Sequence, residues 1–328
     1  MRKEGRMPTA AVVFNPVKIS VEDLRETIDP IAERSGWSES MYLETSEDDP
    51  GTGMAKEALE RNADVVLAVG GDGTVRAVAE ALRDTGTPLA LAPQGTGNLL
   101  ARNLELTLDN LKESAEAAFV GVDRPIDLGV ATWSRKDGSQ EEHSFLVMAG
   151  LGLDAQMISN TDEELKSKVG ALAYVKSIVE SLKHNHRMRL VYQLDNNQPQ
   201  RGKIHTVMVG NCGSLQNNIL LLPDAAVDDG MLDIIALQPQ GIFGWPQILW
   251  KVLVENALLR LPGTKQLGQK DNEHLSYQQA QRIELSLRDP QEIELDGDHF
   301  GEVLAVRVTV DPGGLIVRMP AGWTPSDN

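Results

Sequence analysis

The stretch Val65-Val66-Leu67-Ala68-Val69-Gly70-Gly71-Asp72-Gly73-Thr74 runs from five apolar residues straight into three glycines and one carboxylate. A short continuous apolar run, ended at once by turn residues, reads as a strand buried on both faces of a parallel sheet. Val75, Val78, Ala79 and Leu82 follow at helical spacing, so a helix starts where the strand stops. Glycines let a backbone approach an anion with no Cβ in the way, and the first N–H groups of the helix point at it with the positive end of the dipole. The turn is therefore a phosphate cradle. Asp72 would repel a bare phosphate, and it fits if it interacts with Mg²⁺ or with groups that the metal bridges. The plainer alternative is a bend with Thr74 as N-cap, but the glycine spacing exceeds what such a bend needs.

Outward from this turn, short apolar runs alternate with helix-period segments between Ala10 and about Asp127. Strands are expected at Ala11 to Phe14, Met41 to Leu43, Val65 to Val69 and Leu89 to Ala92. The spacings Val21, Leu24, Ile28, Ile31 and Met54, Ala58 supply helices between them. Beyond Asp127 the texture turns to β-branched runs of period two. These are Phe145 to Val147, Met188 to Leu194, Ile204 to Val209, Leu232 to Leu237, Ile283 to Leu287, Ile293 to Leu295 and Val303 to Val310. Helical segments are expected near Glu163 to Leu182 and Trp245 to Leu259, and Gly263 to Gln279 reads as a long polar loop. An α/β half precedes a β-rich half.

A second glycine turn, Pro93-Gln94-Gly95-Thr96-Gly97-Asn98, follows the strand at Leu89 and leads into the helical run Leu99 to Leu104. Open α/β sheets bind ligands at the carboxyl ends of their strands, so two adjacent loops of this kind can serve one nucleotide. Neither is a Walker A sequence and neither completes Gly-x-Gly-x-x-Gly, which weakens both the P-loop and the Rossmann reading. Downstream stand Ile126-Asp127-Leu128-Gly129, Ala149-Gly150-Leu151-Gly152, Val209-Gly210-Asn211, Asp228-Asp229-Gly230 and Leu295-Asp296-Gly297-Asp298.

In this order the motifs resemble the bacterial diacylglycerol kinase and sphingosine kinase-like lipid kinases, over nearly the whole chain. The resemblance implies an N-terminal α/β nucleotide-binding domain, similar in fold to NAD kinases and phosphofructokinases, and a C-terminal β-sandwich. The expected boundaries are 8–126, completed by 312–328, and 127–311 for the lipid-substrate domain. It implies ATP and Mg²⁺, with the phosphoryl group passed to the hydroxyl of a membrane lipid; diacylglycerol, giving phosphatidic acid, is the expected acceptor. Gly70, Gly71, Asp72, Gly73, Thr74, Gly95, Thr96 and Asn98 would then line ATP, with Thr45 and Asn15 beside the nucleotide. At Thr45 a helix N-cap is the competing reading, and after Asn15-Pro16 the family's Ser-Gly is replaced by Val17-Lys18. Main-chain oxygens of Ala226 and Met231 and the Asp229 side chain would hold Mg²⁺, where the bland alternative is an Asp-Gly hairpin. Asp298 stands where the family carries Glu and would take the proton from the attacking hydroxyl, with Asp72 as a second catalytic carboxylate. Asp127 and the pair Lys166 and Lys168 would complete a water and ion network.

Composition sets outer limits. Lys and Arg number 31 against 48 Asp and Glu, a formal net charge of −17, which opposes nucleic acid as a partner and confines any membrane contact to a local surface. One cysteine, Cys212, excludes an intrachain disulfide. No stretch approaches the roughly 18 apolar residues of a membrane span, and the apolar run from Ala10 is broken by Asn15-Pro16, too soon for a signal peptide. A cytoplasmic enzyme, peripheral at the inner membrane surface, is expected, with a homodimer open to it. An NAD kinase is the alternative enzyme, and a nucleotide- or lipid-binding regulatory protein weakened by Asp298 is the alternative of another class.

Overall fold

The computed structural model describes residues 6–152, 187–214, 220–238 and 275–323, and the chain divides into two compact units, 1–127 with 312–328 and 128–311. Each has its own core. The expected helices near Glu163 and Trp245, the pair Lys166 and Lys168, and residues 263–274 of the expected loop lie outside the described residues.

In the first unit the strands β1 (Ala10–Phe14), β2 (Met41–Glu44), β3 (Val65–Gly70) and β4 (Leu89–Pro93) are parallel in the order β2-β1-β3-β4. All five residues of β1 and all six of β3 are buried, which explains their unbroken apolar character. Alternate residues Ala10, Val12 and Phe14 with Val65, Leu67 and Val69 face one layer. There α1 (Val21–Arg34) contributes Leu24, Ile28 and Ile31, and α5 (Leu111–Val120) contributes Ala115, Ala118 and Phe119. The helices α2 (Thr52–Glu60) and α3 (Asp72–Leu82) pack against each other, and Gly51 at the start of α2 lies close to Val13 and Val78. α1 begins on Ser20, whose hydroxyl accepts from Asp23 N at 3.2 Å, and α5 begins on Asn110, which accepts from Glu113 N at 3.2 Å. The last strand, β14 (Asp298–Met319), joins this sheet as a parallel neighbour of β4 through Val317 and Leu89.

The second unit is antiparallel throughout its described ladders. Its strands are the later part of β5 (Val122–Ser134), β6 (Gln140–Phe145), β7 (Met148–Leu151), β8 (Met188–Leu194), β9 (Gln200–Ile204), β10 (Thr206–Gly210), β11 (Leu232–Leu237), β12 (Leu275–Ala280), β13 (Arg282–Leu295) and the first part of β14. One path runs β12-β11-β10-β7-β13-β14, and β8 pairs with the first half of β13 and with β9. The register of β13 shifts between Ser286 and Gln291, which accommodates Pro290 inside a strand. Trp133, Phe145, Leu151, Leu190, Val209, Ile234, Leu285, Leu295 and Val306 belong to the core of this unit.

Four expectations are corrected by the observed strands. Leu275 to Gln279 is strand, since β11 supplies its backbone partners, and is not part of a loop. The run Phe145 to Val147 is broken, because Leu146 and Val147 form a bend between β6 and β7. The run Ile204 to Val209 is likewise divided at His205, and strand already begins at Val122, before the change of texture at Asp127.

Candidate active site

The two glycine turns lie at the carboxyl ends of adjacent parallel strands, with Gly70 in register with Pro93 and Gln94 N donating to Gly70 O at 2.8 Å. They touch through backbone. A Cβ built on Gly95 would lie 2.9 Å from the Cα of Gly71 and 3.0 Å from Asn98 Oδ1, so glycine is required by close approach. Asp72 joins the two turns: its Oδ2 accepts from Asn98 N at 2.8 Å and its Oδ1 from Leu99 N at 2.6 Å, capping the short helix α4 (Leu99–Asn103). Asn98 sits in the left-handed region at φ 49°, accepts from Gly95 N at 3.1 Å and donates to Gly95 O at 2.7 Å, which closes the turn on itself. Thr74 is buried at the start of α3, while Thr96 is exposed at the tip of its turn.

Asn15 directly follows β1, donates its N–H to Val69 O at 3.2 Å and accepts from Val17 N at 3.0 Å, an Asx turn that places it beside the end of β3. Thr45 is 7% exposed at the end of β2, and it is not the cap of α2. That task falls to Asp49, whose Oδ1 accepts from Gly51 N at 3.0 Å and whose Oδ2 accepts from Gly53 N at 2.9 Å. Asp127 is buried and accepts from Gly313 N at 2.8 Å.

In the second unit the Asp228-Asp229-Gly230 turn precedes β11, with Gly230 at φ +72° and Asp229 Oδ1 accepting from Met231 N at 2.9 Å. Asp233, buried in β11 with Gln279 Nε2 at 3.2 Å, has its pKa pushed up to about 6, first by burial and then by the charges of Asp229 and Asp224. Among the described residues no group of three or more His, Cys, Asp or Glu side chains is spaced to hold a metal.

Leu295-Asp296-Gly297-Asp298 is a two-residue hairpin between β13 and β14, with positive φ at Asp296 and Gly297. Its two carboxylates differ. Asp296 is 8% exposed and accepts three backbone N–H groups, from Leu146 at 2.8 Å and from Val147 and Met148 at 2.9 Å each. Asp298 is half-buried at the first position of β14. Its chain neighbour His299 lies across from Glu294, with Nδ1 at 3.5 Å from Oε1.

A family model described as diacylglycerol kinase catalytic domain matches residues 9–131, and one described as YegS C-terminal NAD kinase beta sandwich-like domain matches residues 147–319. The chain belongs to the diacylglycerol kinase-like lipid kinases. Its relatives include the diacylglycerol kinase of Bacillus subtilis (strain 168), 27% identical over 90% of this chain and 91% of that protein. Another, of Pseudomonas aeruginosa (strain UCBPP-PA14) and named "Probable lipid kinase YegS-like", is 30% identical over 92% of this chain and 91% of that protein. The fold matches a crystal structure of a diacylglycerol kinase from Bacillus anthracis, with TM-score 0.67 at 19% identity, covering 96% of this chain and 98% of that one. It also matches yeast NADH kinase complexed with NADH, with TM-score 0.55 at 11% identity, covering 99% and 85%. The fold is thus an α/β catalytic domain followed by a β-sandwich-like domain, and the enzyme is an ATP-dependent phosphotransferase with an alcohol acceptor.

For this lipid kinase the bend at Leu146 and Val147 is what the sequence concealed. Its N–H groups go to Asp296. Its carbonyls go to the Val209-Gly210-Asn211 segment and the next residue: Asn211 N and Cys212 N reach Val147 O at 2.9 and 3.3 Å, and Asn211 Nδ2 reaches Leu146 O at 3.2 Å. Cys212 also donates to Leu146 O, and burial together with the Asp296 charge pushes its thiol pKa up, which fits a structural thiol. None of the described helices is long and apolar enough to cross a membrane.

Proposed function

We propose that this lipid kinase phosphorylates diacylglycerol, giving phosphatidic acid, with ATP held at the two glycine turns by Gly70, Gly71, Gly73, Thr74, Gly95 and Thr96 and flanked by Asn15 and Thr45. The observation that carries the nucleotide assignment is the joining of both turns by the Asp72 carboxylate, which fixes two sets of backbone donors at neighbouring strand ends. Asp72 then acts through the second turn that it holds. Asp296 is committed to three backbone donors, and Asp298, half-buried at the first position of β14, stands where the family carries its Glu, which supports its reading as the acceptor of the hydroxyl proton.

The turn at Ala226, Asp229 and Met231 suits Mg²⁺ by donor chemistry, one carboxylate and two main-chain oxygens, and a cation there would relieve the mutual repulsion of Asp224, Asp229 and Asp233. Bound there, Mg²⁺ would neutralise charge and order this turn. A lipid acceptor entails peripheral contact with a membrane surface, and the reading places the enzyme in the cytoplasm at the inner face, free to pair as a homodimer through edge strands. Incubation with γ-labelled ATP and extracted membrane lipids, with NAD as control acceptor, tests the whole reading. Label in phosphatidic acid supports it, label in another lipid corrects the acceptor, and label only in NADP overturns it.

Two variants probe the ligand sites. Gly95→Ala forces a Cβ against Gly71, a local overpacking of about 1–3 kcal/mol, and titration calorimetry should show ATP affinity lowered about 10-fold or more. Asp229→Ala should lower activity in a manner that added Mg²⁺ partly restores. A loss of thermal stability identical with and without Mg²⁺ would favour a plain hairpin role.

A further inference from the structure

The ladder between β13 and β14 is irregular two residues past Asp298. Glu292 faces Glu302 and Glu294 faces His299, so Ile293 stands opposite the two residues Phe300 and Gly301. This is a β-bulge, and Gly301 has φ +78°. A bulge leaves ladder carbonyls in need of donors and turns the strand, here at the base of the hairpin that presents Asp298.

Arg135, just past the end of β5, straddles the bulge. Its Nη2 donates to Phe300 O at 2.6 Å and its Nη1 to Glu302 O at 3.1 Å. Its other edge forms a two-pronged pair with Glu141 of β6, Nε to Oε1 at 2.8 Å and Nη2 to Oε2 at 3.0 Å. The Glu141 carboxylate is held below its usual pKa by that pairing. The side chain of Phe300 is fixed as well, against Trp133 with ring centroids 5.4 Å apart and against His143 at 4.7 Å, while His143 stacks on Trp133 at 5.1 Å. The β5–β6 hairpin thus grips both backbone and side chain of the bulge.

We propose that Arg135 and Glu141 are positioning residues that aim Asp298 through this bulge. The proposal rests on the reading of Asp298 as the base. The guanidinium makes these four hydrogen bonds from three nitrogens, whereas an ammonium carries three donors on a single nitrogen, so the site favours Arg. The distinguishing measurement is a double-mutant cycle in the full-length enzyme, reading kcat, KM for ATP and thermal melting for Arg135→Gln, Arg135→Lys and Asp298→Asn, alone and combined. Arg135→Gln should lower kcat about 10-fold or more with KM for ATP unchanged, Arg135→Lys should restore part of it, and neither should lower kcat further in the Asp298→Asn background. Glu141→Gln, at a half-exposed edge, keeps the Arg135 donors to the two carbonyls but replaces one of the two acceptor oxygens facing Arg135 with an NH2 group, and should show a smaller loss in the same direction, even where Arg135→Gln fails to fold. Equal losses in both backgrounds, or an unchanged kcat in Glu141→Gln and Arg135→Gln, overturn the proposal alone. An Asp298→Asn enzyme as active as the parent overturns the base reading and the proposal with it.

Discussion

Asp72→Ala is expected to lower kcat/KM for ATP by about 10² or more while leaving the α/β unit folded. The carboxylate makes two charge-assisted hydrogen bonds to the first turn of α4, and its removal leaves Asn98 N and Leu99 N without their acceptor. Each such loss costs about 1–3 kcal/mol when the donor stays shielded from water, so the second glycine turn loosens and its backbone donors leave their places. Circular dichroism should be near that of the parent, with the melting temperature lower by a few degrees. Two further variants separate this clamp from a direct role at the phosphates or a metal. Asp72→Glu keeps the charge but overshoots the space, since Asp72 Oδ2 is so close to Gly97 that a Cβ on that residue would clash with it. Gly97→Ala attacks the same contact from the other side. If the clamp matters, all three variants resemble one another and Gly97→Ala adds little to Asp72→Ala. Full activity in Asp72→Glu would show that the charge, not the geometry, is what ATP turnover requires.

This clamp also shows where reading the sequence reaches its limit. The glycine turns were legible because everything that defines them is local: a buried strand, a run of Gly and a helix period, all within a dozen residues. The bond that joins them spans 26 and 27 residues, and nothing in either turn announces it. The same holds more strongly in the second unit, where Asp296 finds its donors about 150 residues earlier in the chain. An apolar run such as Phe145-Leu146-Val147 reads as strand by composition, and only the distant carboxylate that collects its N–H groups explains why it bends. β12 was hidden for a related reason. Ser276, Gln278 and Gln279 are polar, and the ladder with β11 holds them extended without help from propensity. Arg135 and Glu141 carried no motif at all, since a fork on two carbonyls of a bulge depends on a fold-level irregularity.

Asp298→Asn is expected to lower kcat by about 10² to 10⁴ with ATP affinity nearly unchanged. The amide keeps the size and most hydrogen bonds of the acid but cannot accept the proton of the attacking hydroxyl. Asp298→Glu should keep or raise activity, because one more methylene restores the reach that the family's Glu provides. The decisive control is the neighbouring carboxylate. Asp296 is 8% exposed and has three N–H donors on its two oxygens, so it is committed to holding the hairpin on the bend at Leu146 to Met148. Asp296→Asn turns one acceptor oxygen into a donor that faces these N–H groups. It should therefore lower melting temperature and activity together, whereas Asp298→Asn should lower kcat at unchanged melting temperature. The two signatures differ in kind, and initial rates measured beside thermal melts separate them. An Asp298→Asn enzyme that keeps its rate, next to an Asp296→Asn enzyme that folds normally and is dead, would exchange the two roles. Full activity in both would move the base out of the hairpin altogether.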